Sequence, residues 1–317
     1  MMDVLALGEL LIDFTCVSKD VDGYPTMAAH PGGAPANFLA ALAKFGAKAG
    51  LVGKVGSDAF GKLLLGTLES AGISTEGMIV DDNYFTTLAF VTLDETGNRE
   101  FSFARKPGAD TQITEADIPY KLIDEAKVFH FGTLSLTDEP ARTATQKAVA
   151  YAKSKGKLIT YDPNLRKPLW KDLQTAKEQI IWGLGQADVV KISDEEVEFL
   201  WGLGVTEGAQ YILDNFGVKL VFVTCGADGC YFKNEVASGR EPSLTDIQVK
   251  DTTGAGDIFG GSAVWKLLQV GKAPETLNEA ELHDVVRFAC TAAGLSTTRS
   301  GGISSVPEYA EVLARLA

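Results

Sequence analysis

The stretch Asp251-Thr-Thr-Gly-Ala-Gly-Asp257-Ile-Phe-Gly-Gly261 combines residue types that can hold an anion and take up a proton. Polar-apolar alternation over Thr245 to Lys250 reads as a strand ending in a turn. From Ile258 to Leu268 the apolar residues Phe259, Ala263, Leu267 and Leu268 recur at helical spacing. Gly254, Ala255 and Gly256 therefore fall at a helix N-terminus, where the first N–H groups lack intrahelical partners and the helix dipole is positive. Donors for developing negative charge beside the Asp257 carboxylate form a phosphoryl-transfer constellation. Ordinary helix capping would use the same residue types, so the rest of the chain has to decide.

Two other places carry candidate chemistry. His30-Pro-Gly32-Gly33-Ala-Pro-Ala-Asn37 leads into a helical stretch; paired glycines admit a close backbone approach, and Asn37 offers a donor and an acceptor. A turn with a capping Asn would look the same. Further on, the period-two rule puts Phe101, Phe103 and Arg105 on one strand face. The two Phe residues fit a packing face, whereas Arg105 suits an anionic or hydroxylated ligand. Lys54 and Lys62 read as solvated.

The elements that must position these groups follow from hydrophobic patterning. Apolar runs at Val4–Leu7, Leu51–Val55, Val128–Phe131, Leu158–Tyr161, Val189–Ile192 and Leu220–Thr224 read as strands. Helical patterns occupy Ala36–Phe45, Phe60–Ser70, Glu139–Ser154, Leu173–Leu184 and Gly208–Asn215. Alternation of this kind predicts an α/β protein with a doubly wound, mostly parallel sheet covered on both faces. Ligands then bind beyond the strands' carboxyl ends, where Asp162 to Arg166, Lys191 to Glu196 and Thr224 to Gly229 fall. Tyr84–Leu93 and Arg99–Arg105 flank Asp94-Glu-Thr-Gly-Asn98 as an antiparallel hairpin, and Leu11–Val17 and Tyr24–His30 could add strands to it. Such an inserted sheet is an edge extension, a lid or a dimer surface.

Composition narrows the function classes. With 317 residues, 45% of them apolar and 22% charged, the chain is globular and large enough for a substantial core. A net charge of −13 argues against general nucleic-acid binding, although a local anion site remains compatible with it. Cys16, Cys225, Cys230 and Cys290 form no Cys-x-x-Cys pair and, with three scattered histidines, offer no zinc spacing. Reduced thiols in a cytoplasmic protein are expected. No apolar run reaches the length of a membrane span, and the acids Asp3, Glu9 and Asp13 break up the start as they would not in a signal peptide. Sparse histidine disfavours a His-based triad, leaving carboxylates, Arg, Lys and backbone amides to carry any chemistry.

Over nearly its whole length the chain resembles the ribokinase-like (PfkB-type) carbohydrate kinases, and within them the fructokinases. Gly32-Gly33-Ala-Pro-Ala-Asn37, with Ala40-Ala41-Leu42 and Gly46 following, is similar to the family's N-terminal signature, and Asp251 to Asp257 to its C-terminal one. Tyr161-Asp-Pro-Asn-Leu-Arg166 with Pro168-Leu-Trp170, Lys191 to Leu200, and Arg105-Lys-Pro-Gly-Ala-Asp110 carry the fructokinase likeness. The resemblance implies one kinase domain over residues 1–317, with a small β lid built from about 12–30 and 84–106 that often makes a dimer contact. It implies Asp257 as the base taking the proton of the attacking sugar hydroxyl, and Gly254, Ala255 and Gly256 as the anion hole. Asp13, Gly32, Gly33 and Asn37 would hold sugar hydroxyls, while Phe103, Arg105 and Arg166 would close on the sugar. Lys191, Ser193, Thr224, Gly226, Gly229 and Cys290 would serve ATP, and Thr224 to Gly229 would carry its phosphates and ribose. Glu196 would organise Mg²⁺ indirectly, and Asp251 and Thr253 would belong to a K⁺ site near the segment Phe288 to Gly302.

Two positions depart from the commoner pattern. Ser193 stands where many relatives carry Asn, as fructokinases often do, and Cys290 stands where many have Asn against the adenine. A 2-keto-3-deoxygluconate kinase is the nearest alternative, with Arg105 and Arg166 clamping a carboxylate. A non-catalytic sugar sensor on this scaffold would be expected to have lost Asp257 or the glycine loop. A dinucleotide-dependent dehydrogenase would need a Gly-x-Gly-x-x-Gly run that Val4-Leu-Ala-Leu-Gly8-Glu9 does not supply.

Overall fold

The computed structural model of the chain describes residues 2–93 and 99–316. All six apolar runs form strands of one nine-stranded sheet: β1 (Met2–Leu7), β4 (Ala49–Gly56), β8 (Ala126–Gly132), β9 (Leu158–Asp162), β10 (Val189–Ser193) and β11 (Leu220–Thr224). The other three are β5 (Ile73–Asp81), β12 (Cys230–Asn234) and β13 (Ser238–Glu241), in the order β13-β12-β11-β10-β9-β8-β1-β4-β5. Pairing is parallel from β5 to β11 and antiparallel for β12 and β13. Chain order runs one way from β1 through β4 and the other way from β1 through β8, so the sheet's switch point lies beside β1, where open α/β sheets bind ligands.

The alternate residues of β1 explain why its apolar run is continuous. Leu5 and Leu7 join a core with α4 (Ala141–Ser154), α5 (Leu173–Leu184), α6 (Asp194–Trp201) and α7 (Val205–Phe216). Val4 and Ala6 join the opposite core with α1 (Ala34–Lys44), α2 (Ala59–Ser70) and α8 (Ala255–Val270). Both faces are thus removed from water. Among the described residues no helix is long and apolar enough to cross a membrane.

The predicted second sheet is present, in the order β3-β2-β6-β7, from β2 (Leu11–Lys19), β3 (Pro25–Gly32), β6 (Leu88–Leu93) and β7 (Arg99–Ala104). Its hairpin partners β6 and β7 are antiparallel, and β2 runs parallel to β6. Phe14 stacks on Phe90 at 5.4 Å and meets the edge of Phe60 at 5.5 Å, which fastens this sheet to α2. The expected turn Asp94 to Asn98 and the Phe101 side chain lie outside the described residues.

One strand expectation fails. Thr245 to Lys250 is not a strand. β13 is already the outermost strand and Pro242 follows it directly, so no partner receives the segment. Its alternation instead turns Leu244, Ile247 and Val249 into the wall of a cavity. The outer strands β5, β12 and β13 and the helix α9 (Glu279–Ser296) are additions that hydrophobic patterning had left unassigned.

Candidate active site

Helix α8 starts at the predicted glycines. Gly254 caps it with φ 75°, a left-handed conformation that L side chains rarely adopt. A Cβ there would stand 3.0 Å from the Gly302 Cα and 3.1 Å from Asn37 Nδ2. The loop before it is tied by Asp251, whose Oδ1 accepts from the Thr253 N–H (2.9 Å) and hydroxyl (2.7 Å) and whose Oδ2 accepts from Gly301 N–H (3.0 Å).

Asp257 lies in the first turn, 9% exposed. Asn37 Nδ2 donates to its Oδ2 at 2.9 Å, and Asn164 Nδ2 stands 3.5 Å from its Oδ1. Burial raises its carboxyl above the ordinary range, against the downward pull of the Asn37 hydrogen bond and of the Lys191 and Arg166 cations; Glu196 adds to the rise. A carboxylate held by two amides and raised in basicity is equipped to accept a proton. His130 cannot compete for that role: buried and stacked on Phe38 at 3.8 Å, its imidazole is pushed down to about 3 and stays neutral.

Two cavities meet at this helix start. One, of about 150 Å³, is walled by Glu9, Asp13, Asn37, Phe103, Arg166 and Asp257 among others. The second, of about 350 Å³, is walled by Thr224, Gly226, Gly229, Gly256, Phe259 and Cys290 among others. Gly254 faces the first, Ala255 and Gly256 the second, and Thr252 lines both. The glycine pair Gly32-Gly33 fits between acids: a Cβ on Gly32 would collide with the Asp13 carboxylate, and one on Gly33 (φ 115°) would stand 2.5 Å from the Glu9 carbonyl. Asp13 comes from β2, opposite His30 of β3. Burial pushes its carboxyl up to about 6, Arg166 opposing and Asp257 and Asp251 reinforcing.

Several expected ligand residues sit elsewhere. Arg105 does not line the first cavity. It is 5% exposed and spends its donors inside the protein: Nε and Nη2 on Asp110 Oδ2 (2.8 and 2.7 Å), Nη1 on the Thr137 hydroxyl (2.7 Å), Nη2 also on the Leu134 carbonyl (2.8 Å). Arg105 lies just past the end of β7, and Asp110, five residues on, draws its guanidinium behind the wall formed by Leu134. Lys54 is likewise buried rather than solvated, paired with Asp117 (2.9 Å) and the Gln112 carbonyl (2.8 Å).

Lys191 and Ser193 are set back from the second cavity. The Lys191 ammonium pairs with Asp162 (3.1 Å) beneath the first turn of α8, where a Cβ on Gly256 would stand 3.1 Å from it. Ser193 caps α6 in a reciprocal box with Glu196. Both Glu196 oxygens hold backbone: Oε1 accepts from Leu165 N–H (2.7 Å) and Oε2 from Ser193 N–H (2.9 Å). Glu196 thereby fixes the loop that delivers Asn164 and Arg166.

Sequence reasoning passed over Glu9, Asn164, Thr252 and Leu134, all of which line the first cavity. Asn164 could have been found from its setting, a left-handed residue (φ 45°) after Asp162-Pro163 at a strand's end, a conformation that Asn tolerates. Glu9 carried no local signal.

Comparison with known proteins agrees with this geometry. The family model described as pfkB family carbohydrate kinase matches residues 1–309. Fructokinase-2 of Solanum lycopersicum is 41% identical over 318 aligned positions, covering 99% of this chain and 95% of the relative. The crystal structure of a fructokinase with bound ATP from Xylella fastidiosa superposes with a TM-score of 0.90 at 30% identity, over 98% of this chain and 97% of that one. A double mutant of the fructokinase from Vibrio cholerae O395, bound to fructose, ADP and potassium ion, superposes with a TM-score of 0.88 at 32% identity, over 100% and 99%. Two adjoining cavities divided by a helix start, on a chain matched from end to end, lead to one conclusion: the chain belongs to the pfkB family of carbohydrate kinases.

Proposed function

We propose that the chain is an ATP-dependent fructokinase that transfers the γ-phosphoryl group to a primary hydroxyl of D-fructose. The observation that carries this reading is Asp257 standing in the sugar-sized cavity at the same helix start whose next residues, in the other direction, wall the second cavity. The fructose hydroxyl oxygen attacks the γ-phosphorus, the bond from phosphorus to the ADP oxygen breaks, and the hydroxyl proton passes to Asp257. The N–H groups at Gly254 to Gly256 hold the transferring phosphoryl oxygens. Asp13 and Asn37 orient the sugar, and Thr224 to Gly229 carry the nucleotide.

The residues fit a magnesium ion that arrives with the nucleotide. Among the described residues no group of three or more His, Cys, Asp and Glu converges as a cage, and Mg²⁺ is usually held mostly through phosphates and water. Glu196 would meet it only indirectly, since both its oxygens already accept backbone hydrogen bonds. Bound there, magnesium supplies charge neutralisation on the phosphate oxygens. A potassium ion near Asp251 and Thr253 would brace the loop that presents Gly254.

The sheet of β2, β3, β6 and β7 serves in this reading as a lid, with Val91 and Phe103 on the cavity wall. Closure keeps water from competing as phosphoryl acceptor. Withdrawal of Arg105 into its pair with Asp110 supports a neutral sugar over ketodeoxygluconate, because the second arm of the carboxylate clamp is missing and Glu9, Asp13 and Asp257 all face the substrate.

ADP release with ATP, Mg²⁺ and a panel of fructose, ribose, ketodeoxygluconate and adenosine tests the assignment. Fructose is expected to give the highest kcat/KM, with little release when no sugar is present. Preference for another acceptor would overturn the fructose reading, and rapid sugar-independent release the lid. The pH profile follows from the carboxylates: Asp257 and Asp13 act ionised, and burial has raised both, Asp13 to about 6. Activity is therefore lost as pH falls, with the acid limb of kcat/KM near pH 6 instead of near pH 4, where an ordinary carboxylate titrates. A flat profile from pH 7 to below 5 would contradict this.

A further inference from the structure

Glu9 follows β1 at the sheet's switch point and is 3% exposed. Its Oε1 accepts from Ala34 N–H at 2.9 Å, so the carboxylate serves the first turn of α1, the helix that bears Asn37. Its own backbone N–H also supports the carboxylate, and the side chain lines the first cavity. The nearest cation does not occupy it: the Arg105 donors go to Asp110, Thr137 and Leu134. A buried carboxylate has acceptor capacity beyond two backbone donors, and a sugar hydroxyl is the donor that a substrate would bring to this cavity.

We propose that Glu9 is a specificity-determining residue of the sugar site, its Oε2 accepting a hydrogen bond from a fructose hydroxyl other than the one phosphorylated. The inference rests on the reading of this cavity as the fructose site. Two placements separate the hydroxyls. Asp257 stands in the first turn of α8, directly after Ala255 and Gly256 of the second cavity's wall, whereas Glu9 is anchored to the start of α1. Burial pushes the Glu9 carboxyl up to about 7, against the pull of its own and the Ala34 backbone N–H groups and of Arg105, with a further push from Asp110. Sites that hydrogen-bond a substrate hydroxyl reject analogues lacking it, because the protein group is then left buried and unpaired.

The test crosses residue 9 with the substrate. Glu9→Gln keeps a carbonyl oxygen for Ala34 N–H and removes the second carboxylate oxygen. Wild type and variant are assayed with fructose and with monodeoxy analogues that retain the phosphorylated hydroxyl. In the wild type one analogue should lose about 10- to 100-fold in kcat/KM, the range expected when a buried charged partner is left unsatisfied. Glu9→Gln should lose a comparable factor with fructose, mostly in KM, and lose little more with that same analogue. Independent, multiplying losses for every analogue, or a fructose KM within twofold of wild type, would overturn the proposal. A second variant, Glu9→Asp, draws the oxygen back while keeping the charge and should single out the same hydroxyl, and thermal melts of both variants separate misfolding from lost recognition. Wild type that turns over no fructose would sink the fructose assignment, whereas normal wild-type turnover without coupling at residue 9 sinks only the role of Glu9.

Discussion

Asp257→Asn is expected to lower kcat by about 10²- to 10⁴-fold, the usual worth of general-base assistance, while KM for the sugar stays within a few-fold of wild type. The substitution is close to isosteric, and the new amide oxygen can still accept from Asn37 Nδ2, which now sits 2.9 Å from the carboxylate. The fold should therefore survive, and the glycines of the helix start keep their donors. What disappears is the one group that is buried at that start, raised in basicity, and on the sugar side of Thr252. Steady-state ADP release with saturating fructose measures the effect, and a binding titration of fructose alone confirms that the site is intact. A variant retaining more than a tenth of wild-type kcat would remove Asp257 from the role of base.

The start of α8 was legible because its chemistry is local: glycines that must lack a Cβ, a helix pattern after them and an acid in the first turn are all adjacent in the chain. The parallel sheet was legible for a related reason, since strands buried on both faces read as unbroken apolar runs such as Val4–Leu7. Failures occurred where the deciding partner comes from another element. The alternation of Thr245 to Lys250 records which side chains turn inward, but a cavity wall and a strand give the same record when no neighbouring strand is available. Lys54 looks solvated until Asp117 and Gln112 arrive beside it. Glu9 looked like an interruption in an apolar start, and only its approach to Ala34 shows why an acid is held there. Family likeness placed Arg105, Lys191 and Ser193 against ligands, where the structure gives them internal partners.

Arg105 is the sharpest of these disagreements, and Arg105→Met should decide it. The guanidinium neutralises Asp110, which is 2% exposed and also accepts from the Thr87 hydroxyl. Removing the cation leaves that carboxylate buried without its counter-charge, a change that costs about 3–5 kcal/mol when one partner of a buried pair is deleted. The same guanidinium holds Leu134 and Thr137, so the wall of the sugar cavity loosens as well. The expected result is a large drop in the urea midpoint of the ligand-free protein. Asp110→Asn added on top should restore part of it, because the stranded charge is then gone and the two changes are coupled. Sugar KM of the folded variant, measured at low temperature, should change by less than the stability loss would imply for a direct ligand contact. The opposite pattern, an unchanged urea midpoint with KM for fructose raised a hundredfold, would return Arg105 to the substrate and show that the guanidinium leaves Asp110 when sugar enters.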